Sequence, residues 1–219
     1  MKKIAVINTN PLTYNMLNGI LKEMMPDAQV FNILDDSLLP EAMEKGINSR
    51  IIDKMRMYVK CAVISGADVI LNQCSSVSEA VDVLRKEIEI PYLKIDEPMA
   101  FKAVELGKNI TVIATVESTI GPSRKLIEEA AFKLGKTVKI NTVLVDGAIE
   151  LLSEADGVAK HDEMVLNEVK KLSSVSDVIV LAQASMYRIS EKAKKIDIEV
   201  PVLSSPVLAA EKIKNILLK

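Results

Sequence analysis

"ADVILNQCSSV" (residues 67–77) and "SDVIVLAQASM" (176–186) follow one plan: an aspartate, a short apolar run of β-formers, then a small polar stretch. Each reads as a strand apolar on both faces that passes directly into a helix. The segments around them repeat in the same order. "KKIAVINTN" (2–10) matches "KNITVIATV" (108–116), and "IPYLKIDEPMAF" (90–101) matches "VPVLSSPVLAAE" (200–211). The offset stays at roughly 110 residues, so the chain is a duplication on the scale of a half-protein and not a solenoid.

Each half alternates strand and helix four times. The strands are expected at Ile4–Asn8, Gln29–Ile33, Val69–Asn72 and Tyr92–Ile95, then at Ile110–Ala114, Lys139–Val145, Val178–Leu181 and Val202–Ser204. Helical patterns separate them. In "PSRKLIEEAAFKLG", Pro122 stands near the start and Gly135 just past the end. Short apolar strands alternating with helices give parallel sheets covered on both faces. The expected fold is α/β: two pseudo-symmetric, doubly wound halves, each with a four-stranded parallel sheet. The halves are placed at 1–98 and 99–219, with the helix at about 97–107 able to pack across and an exchange of terminal helices left open. Ligands of such sheets bind beyond the carboxyl ends of the strands, so a cleft between the halves is the expected site.

Composition narrows the function. Of 219 residues, 49% are hydrophobic and 26% charged, enough for a core that must be aliphatic, because aromatics make up only 3%. A net charge of −2 lacks the basic excess of a nucleic-acid binder. No apolar run approaches the ~18 residues of a membrane span, and "MKKIAVINTN" is too short in apolar residues for a signal peptide. A cytoplasmic protein is expected, with neither nucleic acid nor membrane as partner. Cys61 and Cys74 are the only cysteines and His161 the only histidine, which suits neither a disulfide framework nor a metal site. There is no G-x-G-x-x-G turn and no P-loop, so no cofactor is implied. Lys94, on a strand, is weak evidence for a Schiff base.

The strand ends carry the candidate site. Thr9 and Asn10 follow the first strand; Asn72, Cys74, Ser75 and Ser76 end or follow the third. In the second half the matching places hold Thr115, Ser118 and Thr119, then Gln183, Ala184 and Ser185. Hydroxyls and amides at helix starts suit a carboxylate or phosphate, although plain helix capping also selects Ser and Thr. Cys74 is expected at the positive end of a helix, which favours its thiolate; a small buried hydrophobe is the plain alternative. Cys61, in "MYVKCAVISG", reads as part of an apolar helix face. Asp96 is expected to cap the helix beginning at "EPMAF" and His161 to lie far from the strand ends; Arg188 could pair with a distal carboxylate, with solvent exposure the preferred reading.

With those residues in place, the chain resembles the cofactor-independent aspartate/glutamate/hydantoin racemase superfamily. "VILNQCSSVSE" is similar to its first cysteine motif, "ITVIATVESTIGPSRKLIEEA" to its second-half segment, and "INTNP" to the polar loop after its first strand. The resemblance implies acid/base chemistry by Cys74 at a carbon alpha to a carboxylate, a small amino or dicarboxylic acid as substrate, and a homodimer. It departs at the second thiol, whose place in "LAQAS" is taken by Gln183. An amide hydrogen-bonds but does not transfer protons at neutral pH. Four readings stay open: racemisation with another group or water as the second acid, one-sided chemistry such as decarboxylation, covalent cis–trans isomerisation through Cys74, and carboxylate binding without chemistry.

Overall fold

The computed structural model describes residues 1–196 and 198–218. The first sheet comprises β1 (Lys3–Asn8), β2 (Gln29–Leu34), β3 (Val69–Asn72) and β4 (Tyr92–Lys94). All its strands are parallel, in the order β2-β1-β3-β4. The second comprises β5 (Asn109–Ala114), β6 (Lys139–Leu144), β7 (Val178–Leu181) and β8 (Val202–Leu203), again parallel, in the order β6-β5-β7-β8. The register repeats as well: Ile7 lies opposite Asn72, and Ile113 opposite Leu181. The duplicated fold expected from the sequence is present, with strand bounds that move by a residue at several ends.

Burial explains the sheet order. The central strands are apolar on both faces: Ile4 to Ile7 are 0% exposed, and all of β3 and β7 is buried. β2 and β6, at the edges, are only half-buried, so a strand covered on one side takes mixed residues. The helices are α1 (Tyr14–Met24), α2 (Leu38–Lys45), α3 (Ser49–Ile64), α4 (Ser78–Leu84), α5 (Glu97–Leu106), α6 (Ile120–Lys133), α7 (Ala148–Leu151), α8 (Gly157–Ser173), α9 (Tyr187–Ala193) and α10 (Ser205–Leu217).

In α3, Ile51, Met55, Val59 and Ala62 recur at helical spacing and join Ala5, Ile7 and Ile70 in one core cluster. Each of the three large ones stabilises by ~1.5–3 kcal/mol on burial. Asn48 caps this helix, its side chain accepting from the Ile51 amide at 3.1 Å. Gly46, between α2 and α3, ends α2 with φ +65°, a backbone conformation natural to glycine.

The aspartate that opens each quoted segment ties the sheets at their other end. Asp68 accepts from the Lys3 amide at 2.7 Å, and Asp177 from the amides of Lys108 and Asn109 at 2.8 Å each. Gly107 lets that second loop approach, because a Cβ there would lie 2.3 Å from the Asp177 Cβ.

Two compact units result: Met1–Ile95 with Pro206–Lys219, and Asp96–Ser205. Relative to a linear boundary after residue 98, the second unit begins slightly earlier and the chain's last helix groups with the first unit. Within the second unit, α5 packs on α6 and β7. Among the described residues no helix is long and apolar enough to cross a membrane.

Candidate active site

In a sheet ordered β2-β1-β3-β4, the chain leaves β1 for one edge and then returns to build the other, which makes the β1/β3 border the switch point. Thr9 follows β1 and Cys74 follows β3, so the first unit places both at that border. Both are nearly covered, at 3% and 9% exposure. Cys74 has extended φ/ψ (−107°, 120°) and immediately precedes a 3₁₀ turn, Ser75–Val77, that leads into α4. The Nδ2 of Asn72 donates to the Cys74 carbonyl oxygen at 2.7 Å and holds this bend.

The electrostatics differ from the expected low-pKa thiol. Burial pushes the Cys74 thiol above its ordinary value. The Thr9 hydroxyl, the backbone amides of Ser76 and Val77, and the Ser76 hydroxyl act in the opposite direction, as donors to a thiolate, and do not overcome it. At neutral pH Cys74 therefore rests as a thiol with a thiolate-binding set of donors around it. Cys61 is corrected too: it is exposed on α3 and no part of an apolar face.

Three further groups mark this end of the first unit. The side-chain oxygens of Asn8, Asn72 and Gln73 are buried and have no hydrogen-bond partner in the protein. The matching positions of the second repeat are Ala114, Leu181 and Ala182. Unpaired buried acceptors are costly to keep, and these three amide oxygens lie in the repeat that carries the thiol. Asn8 and Gln73 were not recognised as candidates from sequence; the signal was an amide in one repeat facing an alanine in the other.

The second unit repeats the arrangement with different chemistry. Thr115 follows β5 and Gln183 follows β7, again at the switch point. The Thr115 amide donates to Gln183 Oε1 at 2.8 Å, and Gln183 Nε2 stands 2.9 Å from the Thr115 hydroxyl. Gln183 is thus clamped by the same threonine position that faces the thiol in the first repeat. The Thr119 hydroxyl is engaged locally, donating to Val116 O at 2.7 Å, which makes it a turn-forming group. Ser118 is exposed, Ala184 buried, and Asn10, Ser75, Ser76 and Ser185 half-buried.

Other expectations need correction. Asp96 is buried at the start of α5 but makes no side-chain cap bond. Lys94 is buried in an ion pair with Asp82 at 2.6 Å, which leaves it unsuited to a Schiff base. Arg188 is not simply solvent-facing. Its Nε lies 2.8 Å from both carboxylate oxygens of Asp162, and its Nη1 donates to Ser185 O at 2.8 Å. His161 Nδ1 lies 3.1 Å from the same aspartate, so the histidine is linked to the β7 end through Asp162 and Arg188. No group of three or more His, Cys, Asp or Glu is placed to hold a metal ion among the described residues. A cavity of about 720 Å³ lies elsewhere in the first unit, lined by Met24, Met25, Lys2, Asp68, Lys214 and Leu217 among others, at the amino ends of the strands.

The whole arrangement has known parallels. The structure superposes on an aspartate racemase homologue from Pyrococcus horikoshii with a TM-score of 0.78 at 15% identity, covering 100% of both chains. An allantoin racemase from Klebsiella pneumoniae gives 0.74 at 14% identity, covering 100% of this chain and 88% of that one. The aspartate racemase of Picrophilus torridus gives 0.72 at 19%, covering 99% and 94%. No curated protein matches by sequence. At these identities the structures establish a shared fold. The profile of the Asp/Glu/Hydantoin racemase family matches residues 4–213, and the chain belongs to that family.

Proposed function

We propose that the protein is a cofactor-independent isomerase that moves a proton at the carbon alpha to a carboxylate of a small amino or dicarboxylic acid, with Cys74 as the acid/base. The observation that carries this reading is the buried thiol at the β1/β3 switch point, surrounded by donors from Thr9, Ser76 and Val77. In the thiolate state Cys74 takes the α-proton while the C–H electron pair passes into the carboxylate as an enediolate. The thiol then returns the proton, and the donors stabilise the thiolate in between. We assign Thr9, Asn10, Asn72, Ser75 and Ser76 of the first unit, and Thr115, Ser118, Thr119, Ala184 and Ser185 of the second, to holding the substrate. The unpaired amide oxygens of Asn8, Asn72 and Gln73 favour a substrate that brings N–H donors, such as an amino acid.

A second reading is favoured by Gln183. Its side chain is bonded on both sides to Thr115, and an amide supplies no second acid. One-sided chemistry, in which the Cys74 thiol protonates an enediolate left by loss of CO₂, needs only the groups of the first unit.

Proton NMR in D₂O with aspartate, glutamate, malate, maleate and substituted malonates separates these readings. Loss of an α-proton signal with wild type but not with Cys74→Ala is the expected result, and CO₂ release from a malonate supports the second reading. Exchange that survives Cys74→Ala, or no reaction with any acid, refutes the assignment of Cys74.

A further inference from the structure

Amide side chains collect where β1, β2 and β3 of the first unit approach their carboxyl ends, and three of them form a chain. Asn8 Nδ2 donates to Asn32 Oδ1 at 2.9 Å, and Asn32 Nδ2 donates to Asn18 Oδ1, on α1, at 3.1 Å. Asn8 Nδ2 also donates to Val6 O at 3.2 Å. With its nitrogen committed twice, the Asn8 amide has one orientation, and Oδ1 is presented as an acceptor. Asn8 is 0% exposed, and this oxygen has no hydrogen-bond partner among the described residues. Gln73 stands beside it. The Gln73 backbone N–H donates to Ile7 O at 3.0 Å, which carries the β1–β3 pairing one step past Ile7 and Asn72. That step sets Gln73 opposite Asn8, with both side chains on one face of the sheet. Gln73 is 7% exposed, its Oε1 is buried, and its side chain makes no hydrogen bond to any described residue.

The scaffold does not demand this arrangement. The second repeat has Ala114, Thr142 and Ala182 at the places of Asn8, Asn32 and Gln73, and its sheet forms with the same order and register. Two buried oxygens without partners destabilise the first unit. A rule broken in one repeat and kept in the other marks a place held for a ligand. The chemistry of that ligand follows from the set, which offers acceptors. An ammonium group carries three N–H donors and no lone pair, so it satisfies both oxygens at once, and its charge strengthens each bond. A hydroxyl brings a single donor and leaves the second oxygen unpaired.

We propose that Gln73 and Asn8 are specificity-determining residues that receive the ammonium group on the reacting carbon, so that the site takes 2-amino acids in preference to 2-hydroxy acids of the same shape. This rests on the carbon-acid reading above and adds to it the atoms that read the second substituent of that carbon. Cys74 is the next residue after Gln73, so a ligand beyond β1 and β3 meets the thiol and the acceptors within the first unit. Asn32 and Asn18 are positioning residues. They hold the Asn8 amide and do not touch the ligand.

The test is calorimetric binding of matched pairs, aspartate against malate and alanine against lactate, to wild type, Gln73→Met, Gln73→Glu, Asn32→Leu and Asn32→Asp. The members of each pair differ only in carrying an ammonium or a hydroxyl. Wild type is expected to favour the amino member. Gln73→Met keeps the length of the side chain and removes a buried unpaired oxygen. It should weaken the amino member roughly tenfold, as loss of a charge-assisted hydrogen bond does, leave the hydroxy member unchanged, and melt no lower than wild type. Gln73→Glu sets a carboxylate opposite the ammonium and should retain the preference. Asn32→Leu should erode it through a misoriented Asn8, and Asn32→Asp, still an acceptor for Asn8 Nδ2, should restore it. A lower melting temperature in Gln73→Met with both members weakened alike marks a structural role and overturns the proposal. So do wild-type binding of the hydroxy members as tight as that of the amino members, no binding of any of the four acids, and a preference unchanged in both Gln73→Met and Asn32→Leu. Binding is read without chemistry. Selection without proton exchange in D₂O leaves Gln73 and Asn8 standing and removes the catalytic reading, whereas exchange in wild type without selection does the reverse.

Discussion

Replacing Thr9 by Val removes one hydroxyl donor from the Cys74 thiolate while keeping the shape of the side chain. Three donors remain, the amides of Ser76 and Val77 and the Ser76 hydroxyl. A hydrogen bond to a charged acceptor contributes ~1.5 kcal/mol at the lower end of its range, so the thiolate population should fall about tenfold. The alkylation rate falls less, because a less stabilised thiolate is the stronger nucleophile. With a Brønsted slope of about 0.4–0.5, roughly threefold is recovered, and the net loss is about threefold. The assay is iodoacetamide labelling below the thiol's pKa, followed by site-resolved mass spectrometry. Cys61→Ser is the background, so that the exposed Cys61 contributes no label and only Cys74 is read. Thr9→Ser keeps the hydroxyl and should label as wild type does. An unchanged or faster rate in Thr9→Val, with Thr9→Ser normal, would falsify the donor role of Thr9.

Two further predictions test the same strand ends. Burial raises the Asp35 pKa, but bonds from the Ser37 hydroxyl and amide, Tyr58 and Lys54 bring it down to about 2. Its folded pKa lies below the ordinary value, so its contribution of about 2 kcal/mol is complete above pH ~4 and is lost as pH falls through about 2. Urea unfolding at pH 6 and pH 2.5 should show wild type losing about 1.5 kcal/mol more than Asp35→Asn over that interval, because part of the contribution survives at pH 2.5; equal losses would refute the linkage. Gln183→Cys should gain inversion at the α-carbon, seen by chiral chromatography, because the Thr115 amide that now donates to Oε1 is placed for a thiolate. Proton exchange that continues with no inversion in this variant would show that a second thiol is not the missing element.

The sheets were legible because their signal is local. Runs such as Val69–Asn72 and Val178–Leu181 are buried on both faces, and that state writes itself into four consecutive residues. The position of Cys74 was legible for the same reason, as the first polar turn after such a run. Its titration was not, because the covering of the thiol comes from how the core beneath α4 closes. The cluster of Val77, Ala80, Val81 and Leu84 shuts around it, and no spacing rule reports that. Cys61 failed in the other direction. It lies two positions after Val59 and one before Ala62, both buried, yet a helix turns 100° per residue and places it outside. The Asp162–Arg188 pair joins residues 26 apart on two helices, a meeting set by how α8 and α9 pack.

The duplication explains how one protein can hold an ionisable thiol and a neutral amide at equivalent places. The scaffold is conserved between the repeats: a threonine after the first strand, the group opposite it after the third, and a 3₁₀ turn beyond. What differs is the ability to change protonation state. Gln183 is neutral at every pH at which the protein folds, and it is hydrogen-bonded to Thr115. Cys74 alone gains or loses charge there, and the unpaired amide oxygens lie in its repeat. Symmetric two-thiol chemistry would need a titrating group in each repeat. Here the titrating thiol and the unpaired amide oxygens stand in the first repeat, and the second holds a neutral, hydrogen-bonded amide at the equivalent place.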